Sequence, residues 1–421
     1  MGNNNPFANT EGDSAYTEVV ETEQFGPETK RCYEHLTSRV IGQDRAARKI
    51  ARGLAVHYSG LGEPGKPIGS FLFSGPTGWG KTFLAQELGR FLIADVPHAP
   101  ITHIQCGKSR ESHRVSEIIG SPPGYVGWDK PPKLHQAKID NAHFWIKVRP
   151  FLKDAFARAG SRADPDDVIE ELYHEHKPYY SVVLFDEVEK AHPDIWNGLL
   201  HIMGDGHLEL GNGDVTDFSN SMVIMTCNVG GAAQQKILEG GPKRIGYDAR
   251  KQVVRAEMTD EEREEDDGKI FRETMSLIEN TFPPELIGRL SEGIVVFRTL
   301  NRVQQRQILE GMLLKIQNRF SGKVNDGAES VPQVPPAIVL FSDRAKEYIL
   351  DEGIDSKLGM RKLQAAVARL VLAPLANAIE SKGLVAQDEV LVDVNDGKIV
   401  IRRKRGQALL LPPPIPVGES K

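Results

Sequence analysis

The sequence predicts an α/β fold, a doubly wound parallel sheet with helices on both faces, followed by a smaller, mainly helical unit that ends in a short β-hairpin. Three observations carry this. The stretch Gly75-Pro76-Thr77-Gly78-Trp79-Gly80-Lys81-Thr82 has the form G-x-x-x-x-G-K-[ST], with an apolar run before it and Phe83, Leu84, Leu88 and Leu92 at helical spacing after it. The apolar runs 181–185 and 222–226 end in polar pairs, Asp186-Glu187 and Cys227-Asn228. Strands apolar throughout belong in a parallel sheet covered on both sides, and ligands of such sheets bind beyond the strands' carboxyl ends. From Asn301 onward the pattern becomes helical over 301–320, 343–352 and 361–382, then gives two short strands, 389–394 and 398–402, around the turn Asn395-Asp396-Gly397.

Taken in order, residues 1–25 are rich in Asn, Glu, Thr and Gly and read as a disordered arm. A large unit is expected over 26–298 and a small one over 299–406, with a flexible tail at 407–421 that contains Pro412-Pro413-Pro414. Helices are expected at 28–36 and 43–58, and the Gly- and Pro-rich loop 60–67 delivers the chain to the strand at 71–73. A strand is expected at 101–105, then a loop, Gly120 to Gly127, with Tyr125 at its tip. Residues 128–180 are mostly helical in pattern, and an insertion occupies about 130–165.

The chain has 421 residues, enough for two or three units with separate cores. Lys+Arg 52 against Asp+Glu 58 gives a net charge of −6, which supplies no global attraction to nucleic acid or anionic lipid. No uninterrupted apolar run approaches the roughly 18 residues of a membrane span. The three cysteines, Cys32, Cys106 and Cys227, form no C-x-x-C pair, so a disulfide framework is not expected and a cytoplasmic location is.

The chemistry follows from residue type and position. Gly75, Gly78 and Gly80 let backbone N–H groups close around an anion; Lys81 would reach the β- and γ-phosphates of ATP and the Thr82 hydroxyl would sit on Mg²⁺. At the end of an apolar strand, Asp186 would hold the Mg²⁺ water shell and Glu187 would polarise an attacking water; the plainer reading is an acidic pair capping the next helix.

Five motifs, Gly75 to Thr82, Gly124-Tyr125-Val126-Gly127, Asp186-Glu187-Val188-Glu189-Lys190-Ala191-His192, Met225-Thr226-Cys227-Asn228 and Phe282-Pro283-Pro284-Glu285-Leu286-Ile287-Gly288-Arg289, occur in the order seen in the Clp-type AAA+ protein unfoldases. From about residue 28 to 403 the chain resembles that family, most closely the second ATPase module of its double-ring members. The resemblance implies a homo-hexameric ring that hydrolyses ATP at subunit interfaces and threads protein substrates through a central pore. It implies adenine contacts from Val40 and Ile41, which could equally be core residues, and a polar sensor at Asn228, which could simply close a turn. It implies an arginine finger at Arg289 and a second sensor at Arg361; for both, the alternative is a surface ion pair. Tyr125, with Val126 beside it, would grip the threaded chain, because an aromatic holds any backbone by packing; a plain turn is the alternative. Ile245-Gly246-Tyr247 resembles a tripeptide that docks a Clp-type peptidase, although its third residue is usually Phe or Leu; a flexible loop is the alternative.

The chain departs from the family in three places. No recruitment domain or first ATPase module is expected before it, so a single ring is expected, with recruitment through the arm or an adaptor. Trp128-Asp129-Lys130-Pro131-Pro132 replaces the usual acidic and glycine residues, and Asp214 stands where a basic residue is common. The acidic run 261–267 and the basic run 402–405 read as solvated. Two other readings stay open, remodelling of one specific complex without threading and a nucleic-acid motor; the latter should show basic pore loops.

Overall fold

The structure is a computed structural model and describes residues 24–93, 101–108, 112–125, 128, 130–140, scattered positions between 151 and 168, 180–238, 260–321, 337–354, 359–381 and 383–404. The arm up to residue 23, most of the insertion, Val126, Ile245-Gly246-Tyr247 and the tail lie outside the described residues.

Five strands, β1 (Gly69–Ser74), β2 (Thr102–Gln105), β3 (Ser181–Asp186), β6 (Ser221–Cys227) and β7 (Ile294–Val296), form a parallel sheet in the order β2-β3-β6-β1-β7. Side chains alternate across it. Leu72, Val183, Phe185, Val223 and Met225 enter one core, whereas Phe71, Phe73, Val182, Leu184, Met222 and Ile224 enter the other, against the helices Pro27–Arg39, Asp44–Tyr58 and Lys81–Leu92. That two-sided burial is why these strands read as unbroken apolar runs.

The register sets the site. Ser74 pairs with Cys227 and Phe185 with Met225, so Gly75 and Asn228, which follow their strands, and Asp186, which ends β3, lie along the same edge. From β1 the chain crosses to β2 at one margin and returns through β3 and β6, then places β7 on the other side of β1. The phosphate loop therefore lies at the point where the strand order reverses.

The second unit is built on the helices Arg302–Phe320, Asp343–Gly353 and a long helix, Met360–Glu380, with a π turn at Ala368–Leu372. Asn301 and Gln304 form a reciprocal capping box that starts the first of these. The long helix has the length and composition of a membrane span, but Leu363, Val367, Val371 and Leu375 recur every fourth residue and are buried in this unit's own core.

Several expectations are corrected. The hairpin of β9 (Glu389–Asn395) and β10 (Lys398–Arg403) is part of a three-stranded sheet, because β8 (Ile338–Phe341) pairs parallel to β9. Another hairpin, β4 (His207–Glu209) and β5 (Val215–Asp217), carries Asp214 in its turn, where its carboxylate accepts from Asn212 Nδ2 at 2.6 Å and faces His135 at 3.4 Å. The run 261–267 lies in the helix Asp260–Thr281, and Asp267 turns inward to pair with Arg298. Arg403 and Lys404 are exposed, in keeping with a solvated strand end, and pair with Asp388 at 2.7 Å and Glu389 at 2.8 Å.

Gln43 ties the phosphate loop to the segment that follows β7. It is 5% exposed; its Nε2 donates to Trp79 O at 3.3 Å and Arg298 O at 3.0 Å, and its Oε1 accepts from Arg298 N at 3.3 Å. Replacing it with alanine strands these backbone groups. Gln43→Ala should lower the unfolding free energy by about 2 kcal/mol in urea titration; an unchanged midpoint would show that the three bonds contribute nothing.

Candidate functional site

The loop after β1 bends through positive φ at Gly78 (84°) and Gly80 (97°), and Gly80 caps the helix Lys81–Leu92 in a left-handed conformation that costs other residues. The helix dipole thus points its positive end into the loop. Lys81 is buried at 7% exposure, and its ammonium donates to Gly75 O at 2.6 Å, Pro76 O at 2.9 Å and Asn228 Oδ1 at 3.1 Å. Burial pulls its pKa down to about 8, opposed by Cys227, Glu189 and Asp186 and reinforced by the Arg361 charge. Thr77 Oγ1 donates to the same Asn228 oxygen at 3.0 Å.

Asp186 lies opposite, where Thr82 Oγ1 donates to its Oδ1 at 3.3 Å, Thr226 Oγ1 donates to the same oxygen and His103 Nε2 stands 3.3 Å from its Oδ2. Burial pushes the Asp186 carboxyl up, but the bonds from His103, Thr226 and Thr82 outweigh it and hold the group below the usual carboxylate range. Glu187 adopts left-handed backbone angles, φ 58° and ψ 50°, with its N–H donating to Thr226 Oγ1 at 3.1 Å. Such angles on a non-glycine residue cost about 1–3 kcal/mol and persist where surrounding structure holds them. The Glu187 carboxylate pairs with Lys190 at 2.9 Å. Asn228 is oriented from behind, since its backbone N and its Nδ2 both donate to Glu189 Oε1 at 3.2 Å.

The small unit closes over this loop. Met360 N donates to Gly78 O at 3.0 Å, which brings Arg361 close enough for its charge to act on Lys81. Val40 is buried beside the loop, and a Cβ built on Gly80 would stand 3.7 Å from its Cγ1; Ile41 is half-buried.

The comparisons place this arrangement in a family. A family model described as an AAA domain (Cdc48 subfamily) matches residues 66–143 and 168–293, and one for the C-terminal D2-small domain of ClpB matches residues 337–392. The chain belongs to the Clp-type AAA+ ATPases. It is 33% identical over 367 residues to the chloroplastic chaperone protein ClpC2 of Arabidopsis thaliana, covering 87% of this chain and 32% of that one. It is 32% identical over 369 residues to a chloroplastic ClpA homologue of Brassica napus, an ATP-dependent Clp protease ATP-binding subunit, covering 87% of this chain and 35% of that one. A closed-state reconstruction of Hsp104 with ATPγS and FITC casein superposes with a TM-score of 0.61 at 25% identity, over 89% of this chain and 52% of that one. The chain spans about a third of the length of the curated relatives it matches.

Within this Clp-type module, Gly75 to Thr82, Asp186 and Asn228 converge as expected, while Glu187 borders the site with its carboxylate on Lys190. Arg289 stands apart from its own chain's phosphate loop: it is exposed and its Nη1 donates to Leu200 O, on the helix Pro193–Asp205. Tyr125 is 68% exposed, in a turn in which its N–H donates to Pro122 O at 3.2 Å. Three residues of the site escaped sequence reasoning. Thr226 and Glu189 lie inside motifs already quoted, and His103 is on the neighbouring strand β2, so only strand register could have found it.

Thr226 joins the two acids, and its hydroxyl is one of the bonds that keep Asp186 ionised. A carboxyl held below its unfolded value stabilises the fold above that value and loses the contribution as pH falls through the folded pKa. Thr226→Val should therefore raise the Asp186 pKa in a ¹³C carboxyl titration and cost about 1–2 kcal/mol of stability at neutral pH, with less cost in acid. An unmoved Asp186 would remove Thr226 from that role.

Proposed function

We propose that this chain binds ATP with Mg²⁺, hydrolyses it, and uses the cycle to unfold and translocate protein substrates as a homo-hexameric ring. The observation that carries the reading is the convergence of Lys81, Thr82, Asp186 and Asn228 at the carboxyl ends of β1, β3 and β6. Lys81 and the loop N–H groups would hold the β- and γ-phosphates. Thr82 Oγ1 and Asp186 Oδ1 are the oxygens that fit Mg²⁺, and among the described residues no cluster of three or more His, Cys, Asp or Glu offers a full cage. That donor set suits an ion that keeps most of its ligands as water and phosphate, and when bound it neutralises charge on the transferring phosphoryl group.

Glu187 then leaves Lys190 to accept the proton of the attacking water, while Asn228, steadied by Glu189, orients that water or the γ-phosphate. Arg361 contacts the same phosphate from the small unit. Arg289, turned away from its own loop, serves the neighbouring subunit as an arginine finger, the task for which a permanently charged planar fork is suited. Val40 and Ile41 flank the adenine. Tyr125 and Val126 line the pore, and Ile245-Gly246-Tyr247 docks a Clp-type peptidase where one is present, with an adaptor as the other candidate partner. The ATPγS and casein named for the Hsp104 reconstruction are a nucleotide analogue and a protein substrate, which supports this reading over a nucleic-acid motor, as does the net charge of −6. Three buried free thiols favour a cytoplasmic setting.

Glu187→Gln should bind ATP with near-unchanged affinity while turnover falls by about 10²–10⁴, the usual loss on removing a general base; wild-type turnover would end the assignment. Tyr125→Ala should keep ATP hydrolysis and lose unfolding of a tagged fluorescent reporter. Unfolding at the wild-type rate would leave the remodelling of one specific complex as the better reading.

A further inference from the structure

Trp79 occupies a variable position of the phosphate loop, yet it is the most deeply placed side chain there apart from the loop's start: it is 3% exposed, while Thr77, Gly78 and Gly80 are half-buried. What covers it is the small unit. A Cβ built on Gly359 would stand 3.0 Å from Trp79 Cε2 and 3.0 Å from Gly78 O, so the indole fills the space up to the backbone that enters the helix Met360–Val367. Gly359 accommodates this with φ 54° and ψ −139°, angles that side-chain-bearing residues rarely adopt. The next residue, Met360, donates its N–H to Gly78 O at 3.0 Å, and the one after it is Arg361. On the other side the Trp79 carbonyl accepts from Gln43, which also binds Arg298 on the path between the units.

We propose that Trp79 is a positioning residue for Arg361: its ring is the spacer on which the small unit rests, and it sets how far Arg361 stands from the phosphates. The inference rests on the ATPase reading of this site and adds to it a side chain that the phosphate-loop pattern leaves unspecified. The ring's shape, not its polar atom, carries the role, because the buried indole Nε1 has no hydrogen-bond partner among the described residues. A buried donor left unpaired is a cost, so the position tolerates the N–H for the sake of the ring's volume. Arg361 is near enough for its charge to depress the Lys81 ammonium, so a small displacement of the unit changes the field at the loop.

The test is a double-mutant cycle on the full-length protein, read as kcat at saturating ATP and as KM. Trp79→Leu and Arg361→Ala should each lower kcat by about tenfold, and the double variant should fall no further than the weaker single variant, since both remove the same placement. Trp79→Phe keeps a flat ring without the N–H and should restore kcat to within about twofold of wild type. Trp79→Ala serves as a second truncation, with melting curves confirming that the variants are folded. Additive losses, or no loss from either truncation, would overturn the proposal. If Trp79→Phe is as impaired as Trp79→Leu, the N–H itself meets a ligand and the spacer role is wrong. Glu187→Gln run beside them keeps the two readings apart: wild-type turnover in that variant sinks the ATPase assignment, whereas a dead Glu187→Gln with indifferent Trp79 variants sinks only the spacer.

Discussion

A buried ammonium group bound only by neutral oxygens is the constraint on which the site depends. Lys81 is enclosed by its own loop carbonyls and the Asn228 amide, partners that satisfy its three N–H donors without cancelling its charge. A cation so placed has an unmet electrostatic demand, and an anion at the helix N-terminus answers it. The register of β1 against β6 and of β6 against β3 keeps this charge at one edge, with Asn228 on one side and Asp186 on the other. A slip of a residue in either pairing would turn these groups to the opposite face.

The remaining parts of the site position that charge. Asp186 is held ionised by hydroxyl and imidazole contacts rather than by a salt bridge to Lys81, so the two opposite charges stay separate. Glu189 orients Asn228, and the strained backbone of Glu187 sets its carboxylate at the margin of the cleft. The small unit adds a second cation from above through the Gly78–Met360 hydrogen bond. Charged groups thus face the loop from both units, and movement of one against the other would alter the field at Lys81.

Much of this was legible in the sequence because its signals are local. The phosphate loop is contiguous, and the strands before Gly75, Asp186 and Asn228 are buried on both faces and so appear as unbroken apolar runs. The residues that tune the site were not legible as such. His103 and Thr226 act through strand pairing, a relation between segments far apart in the chain, and Glu189 reads as a helix-side acid until Asn228 is brought beside it. Short strands were missed for a related reason: β4, β5 and β7 have three residues each, too few for a period, and β8 pairs with β9 across the helices of the small unit. The inward turn of Asp267 was hidden by the acidic run around it.

The most direct test of the central claim is the titration of the Lys81 side chain itself, followed by ¹⁵N-lysine NMR in the free protein and with bound ATP. The account predicts that the free ammonium titrates near pH 8 and that the nucleotide moves this upward by more than about one unit, since a phosphate favours the charged form. A Lys81 resonance that titrates above pH 10 in the free protein, or one that nucleotide leaves unmoved, would contradict it.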